Sequence, residues 1–246
     1  MKTKVRVLLL GAKGRMGQAI AAAAPKAEVE IVAGLDLGDD IAKQIDNCNV
    51  VIDFSHPNAS SELARACRKA KTPAVIGTTG HSREERASIE ELVLSVPVVL
   101  SPNFSVGVNA LFWLTRKAAE MLGDDFDLEI TEMHHRLKKD APSGTAKKLA
   151  EILCEVRDLD YGKNVRHGRE GLIGERPGKE IGVHSIRGGD VVGDHTVTFA
   201  GAGERLELSH KAASRETFAL GALRAARWIV GKPPGLYSME DVLGLR

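Results

Sequence analysis

Three glycines, Gly11, Gly14 and Gly17, stand between a continuous aliphatic run, Val5 to Leu10, and a helix-forming stretch, 15 to 24, that stops near Pro25. A buried strand, a glycine-rich turn and a helix in that order leave few architectures open. Gly11 can make the tight turn, Gly14 can let the backbone approach a ligand, and Gly17 can let helix and sheet pack closely. The amide groups at the helix start, with the positive end of its dipole, suit a phosphate. The spacing is Gly-x-x-Gly-x-x-Gly rather than the commoner Gly-x-Gly-x-x-Gly, and glycines in a loop can be mere turns, so the surrounding segments must decide.

They continue the alternation. Val29 to Leu35, Val50 to Phe54, Ala74 to Gly77 and Val96 to Leu100 read as strands, with helices over about 58 to 70 and 82 to 95. This is the α/β pattern of a Rossmann-like parallel sheet with helices on both faces. Asp36 ends the second strand, 19 residues after Gly17, where an acid meets adenosine ribose hydroxyls; a plain turn residue is the competing reading until that spacing is counted. Gly77-Thr78-Thr79-Gly80 and Ser101-Pro102-Asn103-Phe104 follow the fourth and fifth strands, at the edge where such sheets take ligands. A nicotinamide dinucleotide site is the expected use of this region.

After about residue 105 the pattern changes. A helix over 106 to 122, an alternating strand at Asp127 to Glu132 and a helix from Ser143 to about Val156 precede a turn-rich stretch from 162 to 182. Ile181 to Arg187, Val191 to Ala200 and Arg205 to His210 follow as half-polar strands joined by short glycine turns, which reads as an antiparallel sheet. One face of such a sheet is left for another subunit. Ser214 is expected to cap a last helix reaching Val230. The whole is an N-terminal parallel-sheet domain over 1–105 and a smaller α+β domain with a mixed or antiparallel sheet over 106–213.

Composition narrows the function classes. Among 246 residues, 34 basic against 33 acidic side chains give a formal charge of +1, with none of the basic excess of a nucleic-acid binder. Any anion must be held by a local site. Cys48, Cys67 and Cys154 are far apart and form no metal spacing, so free buried thiols and no metal are expected. The longest apolar runs are far too short to span a membrane, and Met1 to Lys4 lead straight into a strand with no cleavage site, so a cytoplasmic setting is expected.

The chemistry concentrates between Glu132 and Ala146. His134 and His135 are neighbours on a strand and point to opposite faces, which suits two distinct roles better than one shared metal. Pro142-Ser143-Gly144-Thr145 puts donors at a helix N-terminus, and Lys138 adds a charge or a proton. Singly, each has an ordinary explanation: a structural histidine, a surface lysine, Ser143 as a helix cap. Together, an acid/base group, a second cation and an anion hole within a dozen residues point to catalysis on an anionic substrate.

These blocks, with Val75 to Gly80, Asn103 to Asn109, Arg187 to Gly193 and Ser209 to Ala212, make the chain resemble the 4-hydroxy-tetrahydrodipicolinate (dihydrodipicolinate) reductase family of the diaminopimelate route to lysine. The resemblance implies that His134 is the proton donor/acceptor and Lys138 a second proton donor, with His135, Ser143, Gly144 and Thr145 at the substrate. It implies cofactor contacts at Gly11, Ala12, Lys13, Gly14, Arg15, Met16, Asp36, Gly77, Thr78, Thr79, Ser101, Pro102, Asn103 and Phe104. It also implies that residues 214–246 return to complete the first domain, that the second makes a homotetramer, and that NADH or NADPH reduces a cyclic imine dicarboxylate with loss of water. Many members carry an arginine after the strand-two acid; Leu37 stands here with Asp39 and Asp40 nearby, so NADH is expected to serve at least as well as NADPH. Another small dehydrogenase would need only the first hundred residues, and a redox sensor would need no acid beside an anion hole.

Overall fold

In the computed structural model, which describes residues 4–245, the first aliphatic run is strand β1 (Val5–Leu10). Met1 to Thr3, included in the reading of the N-terminus, lie outside the described residues. Val7 and Leu9 enter one core and Leu8 and Leu10 another, so β1 needs a helical layer on each face. β2 (Val29–Leu35), β3 (Val50–Asp53), β4 (Ala74–Ile76), β5 (Pro97–Leu100) and a late strand, β11 (Gly235–Tyr237), join it in the order β11-β5-β4-β3-β1-β2, all parallel. Helices α2 (Ser60–Ala70) and α3 (Arg83–Leu92) share the core of Leu8. Helices α1 (Arg15–Ala23), α7 (Glu216–Ile229) and α8 (Met239–Leu243) share the core of Val7. The strand order reverses between β1 and β3, so their carboxyl ends flank the crevice where doubly wound sheets bind ligands.

Two compact units result: residues up to Val106 with those from Arg215 onward, and Gly107–Ser214. Helix α7 starts at Glu216, two residues beyond Ser214, with Arg215 already in helical conformation before it. β11 and α8 had no counterpart in the sequence reading.

The second unit contains α4 (Val106–Leu122), β6 (Asp127–His134), α5 (Gly144–Arg157), α6 (Tyr161–Asn164), β7 (Val165–His167), β8 (Ile181–Arg187), β9 (Gly193–Ala200) and β10 (Arg205–Ala212). Its sheet runs β10-β9-β6-β8-β7. Here the sequence expectation needs correcting. β9 pairs antiparallel with β10, but β8 does not pair with β9; it runs parallel to β6 and β7. β6 lies between β8 and β9, and the glycine turn that resembled a tight hairpin wraps the end of β6. Gly188 N–H donates to the His134 carbonyl (3.0 Å), His135 N–H to Val191 (2.7 Å) and Arg136 N–H to Gly189 (3.2 Å). The sheet is therefore mixed. Along β6, Leu128, Ile130, Glu132 and His134 are buried on one side, and Leu128 and Ile130 share a core with Leu149 and Leu153 of α5. No helix among the described residues is long and apolar enough to cross a membrane.

Candidate active site

The first unit presents a cavity of about 400 Å³ at the carboxyl ends of β1, β2 and β3, lined by Gly11, Gly14, Asp36, Leu37, Phe54, Ser55, His56 and Glu62 among others. Backbone geometry builds it. Gly11 has φ +77°, and a Cβ there would collide with the Phe54 carbonyl; a Cβ on Gly17 would collide with Gly11 and Ala12. The loop is clamped to β2, with Gly11 N–H (2.8 Å) and Ala12 N–H (3.2 Å) both donating to the Leu35 carbonyl. Lys13 N–H donates to the Asp36 carboxylate (3.1 Å), and Lys13 Nζ lies 3.9 Å from it.

Helix α1 begins at Gly14 with no side-chain cap and no acid in its first turn, whereas α3 carries a full Ser82–Glu85 capping box. The start of α1 is thus chemically suited to an anion rather than closed by its own residues. A loop with no room for a Cβ at Gly11 or Gly17, a bare helix start and an acid at the end of β2 fit a dinucleotide: pyrophosphate over 11–17, ribose at Asp36.

The remaining predicted contacts are placed as follows. Arg15 is exposed, and Met16 packs on the core. Gly77, Thr78 and Thr79 follow β4, while Ser101, Pro102, Asn103 and Phe104 follow β5, and none of these seven lines the cavity. Thr78 and Phe104 are buried, Phe104 edge-on to Phe54 at 5.5 Å. Asp53, which sequence reasoning passed over, ties the strand ends together. It accepts from Ser55 Oγ (2.5 Å), Ser55 N–H (3.0 Å) and Thr78 Oγ1 (2.8 Å). Burial raises its carboxyl above the ordinary range despite those donors. A polar residue closing an otherwise aliphatic buried strand was the available signal.

The second unit gathers a different kind of site. His134, last residue of β6, is buried, and its Nδ1 lies 2.5 Å from Glu132 Oε2. Glu132 has no exposed surface, and Arg187 at the end of β8 forks onto it with two bonds of 2.8 Å. Ser143 N–H also donates to Glu132 (3.1 Å). Burial alone would push the Glu132 carboxyl up, but the donors, Arg187 foremost, hold it at about 2.

Ser143 caps α5, accepting from Ala146 N–H (3.2 Å), and its hydroxyl meets His195 Nε2 at 3.0 Å. His195 stands edge-on to His134 at 5.1 Å and is driven down to about 3, by burial first and His134 second. His135, beyond the strand, has a buried Nδ1 with no partner. Lys138 pairs with Asp140 at 2.9 Å on the same loop. Gly144 faces open space and Thr145 is half-buried in the first turn of α5. The structure thus brings His134, Ser143, Gly144 and Thr145 to one end of the unit, with Lys138 on the adjoining loop. Glu132, Arg187 and His195 had been noticed only as letters of a motif or not at all.

Both parts of the chain match one family: residues 5–104 match the description "Dihydrodipicolinate reductase, N-terminus" and residues 107–243 match "Dihydrodipicolinate reductase, C-terminus". The chain belongs to the dihydrodipicolinate reductase family. It is 56% identical over 242 residues to the 4-hydroxy-tetrahydrodipicolinate reductase of Akkermansia muciniphila, covering 98% of each chain. Against the same enzyme of Geobacter metallireducens it is 46% identical over 265 residues, covering 98% of this chain and all of the other. A dipicolinate-bound dihydrodipicolinate reductase from Paenisporosarcina superposes with a TM-score of 0.76 at 27% identity, covering 97% of this chain and 99% of that one.

Proposed function

We infer that this chain is an NAD(P)H-dependent oxidoreductase that reduces 4-hydroxy-tetrahydrodipicolinate to tetrahydrodipicolinate with loss of water, in diaminopimelate and lysine biosynthesis. The observation that carries the reading is the match of both parts to one reductase family, joined to a dinucleotide cup in the first unit and an acid/base cluster in the second. We assign residues 1–105 with 214–246 to dinucleotide binding and 106–213 to substrate binding and oligomerisation. When bound, the nicotinamide supplies the hydride.

The chain's own residues do the rest. His134 delivers the proton that quenches the negative charge built up on the ring. Lys138, paired with Asp140, is the second donor, protonating the hydroxide that leaves as water and recovering its proton from the ring carbon deprotonated in the same elimination. The start of α5, at Ser143, Gly144 and Thr145, takes one substrate carboxylate, with His135 alongside. That a relative was solved with dipicolinate, a planar dicarboxylate, supports this substrate class. The half-polar sheet face bearing Thr131, Thr196 and Ser209 suits burial against further copies in a homotetramer, and the three free, buried cysteines suit a reducing cytoplasm.

For the cofactor, NADH serves at least as well as NADPH. Leu37 is 97% exposed beside Asp36 and offers no countercharge for a 2′-phosphate, while Lys13 lies close enough to keep NADPH usable. The test is loss of reduced-nicotinamide absorbance when the coupled synthase product is added; no loss overturns the reading in favour of a sensor or another dehydrogenase. With both cofactors, Leu37→Arg should improve kcat/KM for NADPH over NADH by about 1–3 kcal/mol, the worth of a charge-assisted hydrogen bond. A wild-type enzyme strongly preferring NADPH would show that Lys13 and Arg15 outweigh Asp36.

A further inference from the structure

We propose that Glu132, clamped by Arg187, is the positioning residue of the proton donor: its carboxylate takes the Nδ1 hydrogen of His134 and leaves Nε2 as the atom that handles the proton. The proposal rests on the reading of His134 as the donor. An ionised carboxylate can only accept, so at 2.5 Å the hydrogen between the two must belong to Nδ1. Glu132 is kept ionised by geometry that a mere core residue would not require. Arg187 forks onto both its oxygens, Ser143 N–H adds a third bond, and no water-exposed surface remains on it. Three chain segments, the ends of β6 and β8 and the start of α5, thus converge on one carboxylate that touches the imidazole on the side away from Nε2.

A second, independent observation concerns Nε2 itself. Gly193, the first residue of β9, has no need of its conformational freedom, yet a Cβ there would stand 2.9 Å from His134 Nε2. His134 is pinned by Glu132 and has little room to yield. Glycine at 193 leaves the space beside that nitrogen free of a side chain, as expected of a strand glycine at a close approach.

The groups facing His134 are Glu132 on its own strand, Arg187 from β8, His195 from β9 and Lys138 from the following loop. Burial lowers the His134 pKa first; Glu132 raises it, and Lys138 and Arg187 lower it. Activity that needs protonated His134 is lost as pH rises through that pKa. Removing the Glu132 charge lowers the pKa, so the alkaline limb of kcat must move to lower pH.

The primary experiment is nitrogen-15 NMR of histidine-labelled wild-type enzyme, with the His134 signals assigned by their absence in His134→Gln. Neutral His134 is expected as the Nδ1–H tautomer; the Nε2–H tautomer overturns the proposal, whether or not any Glu132 variant folds. Kinetically, Glu132→Gln should lower kcat by at least about tenfold, as losing the orienter of a catalytic histidine does. It should also shift the alkaline limb to lower pH and leave KM for NADH unchanged, with Glu132→Asp regaining part of the rate. A folded Glu132→Gln enzyme with wild-type kcat and pH profile overturns the proposal. Full turnover in His134→Gln is a separate outcome: it removes the underlying donor assignment instead.

Discussion

In the first unit, amides and carbonyls fix the glycine loop that borders the cavity: Gly11 and Ala12 on the Leu35 carbonyl, Gly14 opening α1 without a side-chain cap. In the second, charged side chains do that work. Glu132 is held by Arg187 and His134, and further along β6 Glu129 receives Arg169 (2.6 Å), Arg176 (3.0 Å) and His184 (2.8 Å). A site made of backbone tolerates changes of charge but not an added Cβ; a site made of buried charge tolerates neither loss nor gain of a proton. Binding a cofactor needs shape held constant, whereas moving a proton needs an electrostatic setting held constant. Under the function proposed above, the two units divide those tasks.

The largest effect is expected where the side chains assigned above to proton transfer are removed. His134→Ala and Lys138→Ala should each lower kcat by roughly 10²–10⁴-fold, with NADH affinity by fluorescence titration unchanged. Were Lys138→Ala to keep full turnover and only raise substrate KM, its part would be electrostatic. A smaller effect of opposite character is expected at Gly11. Gly11→Ala forces a side chain to φ +77° and onto the Phe54 carbonyl, so NADH affinity should fall by about 1–3 kcal/mol or more, while kcat at saturating cofactor holds. Unchanged NADH affinity would mean that the loop can reshape.

The subtlest contrast lies in acid. Glu129 and Glu132, ordinarily near 4.5, sit at about 2 when folded, because their donors outweigh burial. Their contribution is complete above about pH 4.5 and is lost as pH falls towards 2. His195, ordinarily near 6.5 and held at about 3 by burial, refuses a proton that the unfolded chain accepts between those values, so stability falls there too. Asp53 has the opposite sign. Its raised pKa means that the folded chain keeps a proton the unfolded chain has given up, and acid relieves rather than adds strain. Hydrogen exchange on acidification should therefore lose protection in the second unit first; the reverse order would contradict this division.

Much of this was legible in the chain. Continuous aliphatic runs located β1, β3, β4 and β5, because strands covered on both faces leave an unbroken signature; the edge strand β2 was found from its β-branched residues, and the glycine spacing with Asp36 located the cup. What failed was pairing. Alternation along Ile181 to Arg187 reveals a half-buried strand, but nothing local says that its neighbour is β6, some fifty residues earlier, rather than β9. That error concealed the cluster, since Arg187 reaches Glu132 only if β8 lies beside β6. β11 escaped for another reason: three residues, one of them Gly235, carry too little pattern to register.

The first unit is discontinuous, and its core depends on that. Ala219, Ala222, Leu223, Ala226 and Ile229 of α7 fill the same core as Val7, Leu9 and Val50. A ribosome delivers β1 to β5 early, yet α7, the longest helix on one face of their sheet, emerges only after the whole of Gly107–Ser214 has been made. At about 5–20 residues per second, the half-built sheet has only α1 on that face for several seconds, while the inserted unit already has all its own elements. Vectorial synthesis therefore lets the inserted unit finish before the unit whose sequence flanks it. Until α7 arrives, the aliphatic surface it will cover is the aggregation-prone part of the nascent chain.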